Sequence, residues 1–174
     1  MNVIAKSLDV VVWLKLLSSG RGKTFAQLSS ELGMSASEIH SSVRRGAAAG
    51  LIDEKSRVPL RRPLEEYLLF GVRYAFPAKR GSITRGIPTS YAAPALSPYF
   101  SRSDDLPPVW PDSHGSTRGY ALEPLFKPIR KAVEQDPKLY ELLALVDAIR
   151  DGRARERKLA EDKLKALIAH AHAD

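Results

Sequence analysis

Ser37, His40, Ser41, Arg44 and Arg45 lie within nine consecutive positions, and their chemistry is that of recognition rather than bond breaking. Short hydroxyls near the start of the segment leave room for close approach, and guanidinium groups fork onto paired acceptors such as a guanine edge or phosphate oxygens. If the segment is a helix with Ala36, Ile39, Val43 and Ala47 as its buried stripe, the 3.6-residue repeat turns Ser37, Ser41, Arg44 and Arg45 outward, with His40 and Glu38 on the flanks. Such a helix has the side chains needed to enter the major groove of double-stranded DNA.

The elements that would position these residues carry clear end signals. Thr24 with Gln27 and Ser35 with Glu38 both fit a capping box, in which a hydroxyl and a side chain three residues on satisfy free backbone donors. A first helix is predicted from about Phe25 to Leu32, Gly33 supplies the left-handed turn, and Met34 packs as the chain enters the second helix.

With its LGMS turn and AAAGLI ending, the stretch Leu28 to Ile52 resembles the winged helix-turn-helix of bacterial regulators of the MarR and ArsR type. The resemblance extends over residues 7–62. It implies a preceding helix, matched by SLDVVVWLKLL from Ser7 to Leu17, and a following β-hairpin wing. Leu51 and Ile52 would open that wing, Asp53 to Arg57 would form its tip and Val58 to Arg62 its return, with Pro59 limiting it to a short edge hairpin. Ser29 stands where the family usually has alanine.

The charge distribution supports an anionic partner. The net charge is +7, and residues 1–62 hold ten Lys or Arg against five Asp or Glu, while the remaining two thirds are close to neutral. A basic surface gains sequence-independent affinity for DNA by releasing condensed counterions. Lys23 and Thr24 at a helix start, and Arg57, Arg61 and Arg62 in the expected wing, are the candidates for backbone contact. There is no cysteine, which excludes disulfides and thiolate metal sites. The apolar start is interrupted by Asp9 and Lys15, so it reads as a core helix rather than a signal peptide or membrane span, and a cytoplasmic location is expected.

Beyond the wing, Pro63 opens a connecting helix over residues 63–78 that Pro77 ends. Leu64, Leu68, Val72 and Ala75 form one stripe on it, and Tyr67, Phe70 and Tyr74 a second, so the helix asks to be covered from two sides. Nine of the twelve prolines lie from Pro77 to Pro128, which predicts an irregular wrap over residues 79–121 whose aromatics hold it to the surface. Two near-copies within it, GSITRG at Gly81 to Gly86 and GSTRG at Gly115 to Gly119, read as turns, or as loops offering amides and an arginine to an anion. Residues 122–174 return to helical periodicity, with Leu139, Leu142, Leu143, Val146 and Ile149 on one face and Leu159, Leu164, Leu167 and Ile168 inward on the next helix. Arg153, Arg155, Arg157 and Lys158 alternate with acids as a solvated face does. The region has the character of a dimerisation or partner-docking module.

Several chemistries are not supported. Gly22-Lys23-Thr24 matches the end of a P-loop, yet Leu17 stands where the motif needs glycine. His170 and His172 sit two apart, where a helix points them to different faces, and no nucleophile, base and acid converge. The chain is therefore expected not to be an enzyme, and neither cofactor nor metal is implied. The expected fold is mainly α with a small β-hairpin wing, a winged helix-turn-helix followed by C-terminal helices. The expected function is that of a homodimeric, sequence-specific DNA-binding repressor. The alternative is an antitoxin-like interaction protein that binds an effector through its C-terminal region and autoregulates its operon.

Overall fold

The computed structural model of the chain describes residues 4–101 and 105–171. Its centre is α1 (Ser7–Ser19), whose residues from Asp9 through Leu17 are buried on every side. A helix apolar all round must be enclosed by other elements. α3 (Ala36–Ala48) covers one side of it, and α2 (Phe25–Leu32) packs in turn on α3. Their ends follow the capping chemistry. Thr24 Oγ1 accepts the Gln27 N–H at 3.1 Å and Gln27 Oε1 accepts the Thr24 N–H at 2.8 Å. Gly33 is left-handed (φ 69°, ψ 28°), and Ser35 caps α3 by accepting the Glu38 N–H at 3.1 Å.

α3 approaches α1 closely because Gly46 has no side chain. A Cβ there would lie 2.6 Å from Ile52 and 2.7 Å from the Trp13 indole nitrogen. That indole donates to the Ser42 carbonyl at 3.2 Å, so the helix backbone itself is docked. The buried stripe is Ile39, Ser42, Val43 and Gly46. It is rotated from the expected one: Ala36 is exposed and Ala47 only half-buried, because the helix turns its smallest inner residue toward Trp13.

The hairpin after α3 is short. Ile52 bridges Pro59, Asp53 N–H donates to Val58 O at 2.9 Å and Leu60 N–H to Leu51 O at 2.8 Å. It ends at Leu60, whereas the sequence suggested a return strand to Arg62. Arg61 and Arg62 instead begin α4 (Arg61–Glu66), which runs through a π-helical turn (Tyr67–Gly71) into α5 (Val72–Ala75). The wide turn brings Leu68 and Leu69 inward together, with Leu64 and Val72. Tyr67 meets Trp13 edge-on at 5.8 Å, but Phe70 and Tyr74 stand 67% and 74% exposed, so this part of the second stripe is uncovered among the described residues.

The proline-rich stretch is not the irregular wrap its composition suggests. It folds into β1 (Arg80–Pro88), β2 (Pro108–Pro111) and β3 (Thr117–Leu122). β1 pairs antiparallel with both others, and β2 and β3 run parallel, closing a very small barrel. Closure at this size requires backbone against backbone. A Cβ on Gly86 would fall 2.0 Å from the Trp110 carbonyl oxygen, and one on Gly119 would fall 1.9 Å from that of Pro107. The prolines of β2 lie at its two ends, where a missing donor does least harm.

α6 (Ile129–Val133), α7 (Pro137–Asp151) and α8 (Ala154–His170) complete the chain. Asp136 caps α7 by accepting the Leu139 N–H at 2.9 Å, with Pro137 at its first position. From Leu142 to Ile149 α7 is buried all round, between α1, α8 and the sheet. Two polar ties bind it there. Asp147 accepts Thr89 Oγ1 at 2.7 Å, Trp110 Nε1 at 2.6 Å and Arg150 at 2.7 Å, while Lys15 of α1 reaches Asp136 at 2.5 Å and Glu31 at 2.6 Å. One cluster of buried side chains runs from Val10 to Ile168, so the four sequence segments pack around a shared core. The protein is mainly helical with one small three-stranded sheet among the described residues.

Candidate nucleic-acid interface

On α3 the residues at steps of three and four, Ser37, His40, Ser41 and Arg44, share the side opposite the Ile39–Val43 stripe. Ser37, His40 and Arg44 are exposed and Ser41 is half-buried. Arg44 has no acidic partner among the described residues, so its guanidinium is free for an external acceptor.

Arg45 is not part of this face. Its guanidinium is buried and forks onto Asp9 of α1, Nε to Oδ2 at 2.7 Å and Nη2 to Oδ1 at 2.5 Å. One residue corresponds to about 100° on a helix, and with the stripe centred on Ser42 and Gly46 that step carries Arg45 inward. The Asp9 carboxylate holds the guanidinium still more firmly protonated, outweighing burial. Asp9 also accepts the Lys6 N–H at 2.8 Å and so caps α1, which leaves the buried pair well bonded. Next to it the Tyr67 hydroxyl is pushed up to about 12, by burial first and by the Asp9 charge second. Arg45 thus fixes the roll of α3 on α1 instead of reading an external surface.

The hairpin meets α3 through an aromatic contact. Phe25, the first residue of α2, lies edge-on to His40 at 5.4 Å, and Arg57 places its guanidinium carbon 4.9 Å from the centre of the same ring. Arg57 has φ 57°, a left-handed conformation uncommon outside glycine, and its N–H closes the turn on Asp53 O at 2.7 Å. Asp53 in turn accepts the Ser56 N–H at 2.7 Å and the Ser56 hydroxyl at 2.5 Å, which hold its carboxyl below the usual range. The hairpin tip is therefore built to hold one arginine against the α2–α3 unit.

The remaining backbone candidates divide. Thr24 is exposed, with its hydroxyl engaged as a cap. Lys23 is paired with Glu31, which also pairs with Lys15, so its charge is answered internally. Arg61 donates to the Ala169 carbonyl at the end of α8 at 3.2 Å, and Arg62 faces Glu66 one turn along α4. Neither belongs to the hairpin, a correction that follows from the helix starting two residues early. Arg21 was not anticipated. It is exposed in the loop from Gly20 to Lys23, which forms a notch with Ser56 to Pro59 beside Arg57. The glycines on either side of it, both at positive φ, are the sequence signal that this loop turns outward.

Among the described residues no cluster of three metal-ligating side chains occurs; His170 meets the Ala166 carbonyl at 2.6 Å, and His172 lies outside those residues. No helix of the described residues is long and apolar enough to cross a membrane. Comparison of the chain with known protein families, with curated proteins and with solved structures gives no match.

Proposed function

We propose that the protein is a sequence-specific DNA-binding transcriptional regulator, a homodimeric repressor of winged helix-turn-helix type. The observation that carries this reading is the open face of α3, where Ser37, His40, Ser41 and Arg44, the last without an acidic partner among the described residues, project together. Short side chains at the start of α3 permit close approach to base edges, and Arg44 supplies the fork that suits guanine. Arg57, held on the Phe25 ring, and Arg21 beside it are suited to flanking phosphates. A second copy is required because one helix touches few base pairs, and two half-sites about one turn apart multiply selectivity.

The experiment is a gel-shift titration at fixed salt with the promoter of the protein's own gene. Arg44→Ala is expected to weaken binding by about 1–3 kcal/mol and to relax base choice, whereas Arg57→Ala weakens all sequences alike and lowers the salt slope by about one ion. Unchanged binding in Arg44→Ala would overturn the assignment. The exposed pair Phe70 and Tyr74 favours keeping the antitoxin-like reading beside the first, since it offers a second protein an apolar helix face. A stable dimer without other subunits supports the repressor; a tight complex with the product of an adjacent gene supports the antitoxin.

A further inference from the structure

The two TRG copies meet in the sheet. Thr84 pairs with Gly119, Arg85 with Arg118 and Gly86 with Thr117, so the copies are related by a local two-fold axis through the arginine pair. The pairing explains the repeat. In each copy the glycine faces the inside of the barrel, where β2 leaves no room for a Cβ, and the arginine is turned outward. The backbone amides of both TRG triplets lie in strands and form no anion nest, whereas both guanidiniums face outward.

That outward pair is unfavourable as it stands. Directly opposed residues of an antiparallel pair have Cβ atoms about 5 Å apart, and like charges there repel. The other arginines around the sheet are answered by carboxylates: Arg80 by Asp151, Arg130 by Asp112 and Arg150 by Asp147. Arg85 and Arg118 are exposed and have no acidic partner among the described residues. On the same face, the next rung pairs Ile83, 52% exposed, with Tyr120, whose ring is already covered by Arg80 at 4.8 Å.

We propose that Arg85 and Arg118 together bind the phosphate of a small phosphomonoester, with Ile83 as the apolar floor under its organic part. The charge and the geometry select this class. A carboxylate offers two oxygens and one negative charge, enough for one fork. A diester in a nucleic-acid backbone likewise has one charge and two free oxygens. A monoester carries a charge of about −1.5 to −2 at neutral pH and three acceptor oxygens, which matches two guanidiniums. The site is independent of α3, so its failure would leave the DNA-binding reading untouched.

The test uses the full chain and follows the arginine side-chain N–H signals by NMR at constant ionic strength, with methyl phosphate and dimethyl phosphate as probes. Methyl phosphate is expected to shift the Arg85 and Arg118 signals together and to bind about tenfold more tightly than dimethyl phosphate. Arg85→Gln and Arg118→Gln are each expected to lose the response. Because both side chains are in solvent, folding is not at risk, and a second readout has opposite signs. Without phosphate the doubly substituted chain melts about 1–3 °C higher than the natural one, through relief of repulsion, while methyl phosphate raises the melting temperature of the natural chain alone. An equal response to the two probes, or a response that survives in the doubly substituted chain, would overturn the proposal.

Discussion

Each half of the molecule is tied together by a buried aspartate, and the two do it differently. Asp9 joins α1 to α3 by facing one distant partner, the Arg45 guanidinium, which is buried with it. Asp147 joins α7 to the sheet by gathering the Thr89 hydroxyl, the Trp110 indole and the neighbouring Arg150, which also donates to the Phe76 carbonyl at 2.8 Å. In the first case nearly all the compensation for burying a charge comes from one opposite charge. In the second it is spread over neutral donors and a local cation. Burial pushes the Asp147 carboxyl up, and Arg150, Thr89 and Trp110 pull it back. The contrast teaches that a single-partner strut is stiff but brittle, whereas a shared acceptor degrades by steps.

The comparison is open to attack in order of effect. Asp9→Ala leaves a buried guanidinium unanswered and is expected to cost about 3–5 kcal/mol in urea unfolding, with loss of any DNA binding through loss of the α3 roll. A cost under about 1 kcal/mol would break the argument. Asp147→Asn keeps the shape and one acceptor, and leaves the equally buried Arg150 its bond to the Phe76 carbonyl, so about 1–3 kcal/mol is expected, with near-ultraviolet dichroism of Trp110 perturbed. If Asp147→Asn proves as damaging as Asp9→Ala, the distinction between the two struts is gone.

The smallest effect sharpens the picture of the sheet half. Asp112 accepts Arg130 at 2.6 and 2.8 Å and the His114 N–H at 2.7 Å, and the Arg130 bonds hold its carboxyl below the ordinary range. A carboxyl depressed in the folded state contributes stability that is present above its unfolded pKa and lost as pH falls through the folded one. Stability of the natural chain should therefore drop from about pH 4 downward more steeply than that of Asp112→Asn. Parallel acid limbs for the two chains would show that Asp112 contributes nothing of the kind.

What could be read from the residues was local. The capping box at Thr24, the left-handed Gly33 and the bounds of α2 depend on neighbours within four positions and are found as expected, while at Ser35 only the hydroxyl half of the expected box forms, accepting the Glu38 N–H. The roll of α3 depends on Gly46 meeting Trp13, 33 positions away, so the burial of Arg45 could not be seen from periodicity alone. The sheet was hidden for the same reason. Its strands are rich in proline and glycine, which argue against a sheet locally, and only their mutual approach at Gly86 and Gly119 makes those residues the suitable ones. Arg44 and Arg57 were identified by type and position, and Arg57 gained its aromatic support from a ring contact that spacing does not reveal.

The π-helical turn from Tyr67 to Gly71 has a consequence for length variation in this chain. Such a turn houses one residue more than an α-helix needs, so the flanking turns already have the phase of a shorter helix. Deleting Phe70, whose ring is mostly in solvent, would shorten the rod without swinging Leu64 or Val72 out of the interior. Elsewhere in an ordinary helix the same loss would rotate everything downstream by about 100°. Within the rod from Arg61 to Ala75, this is the place where a codon can be dropped at least cost to the helical phase.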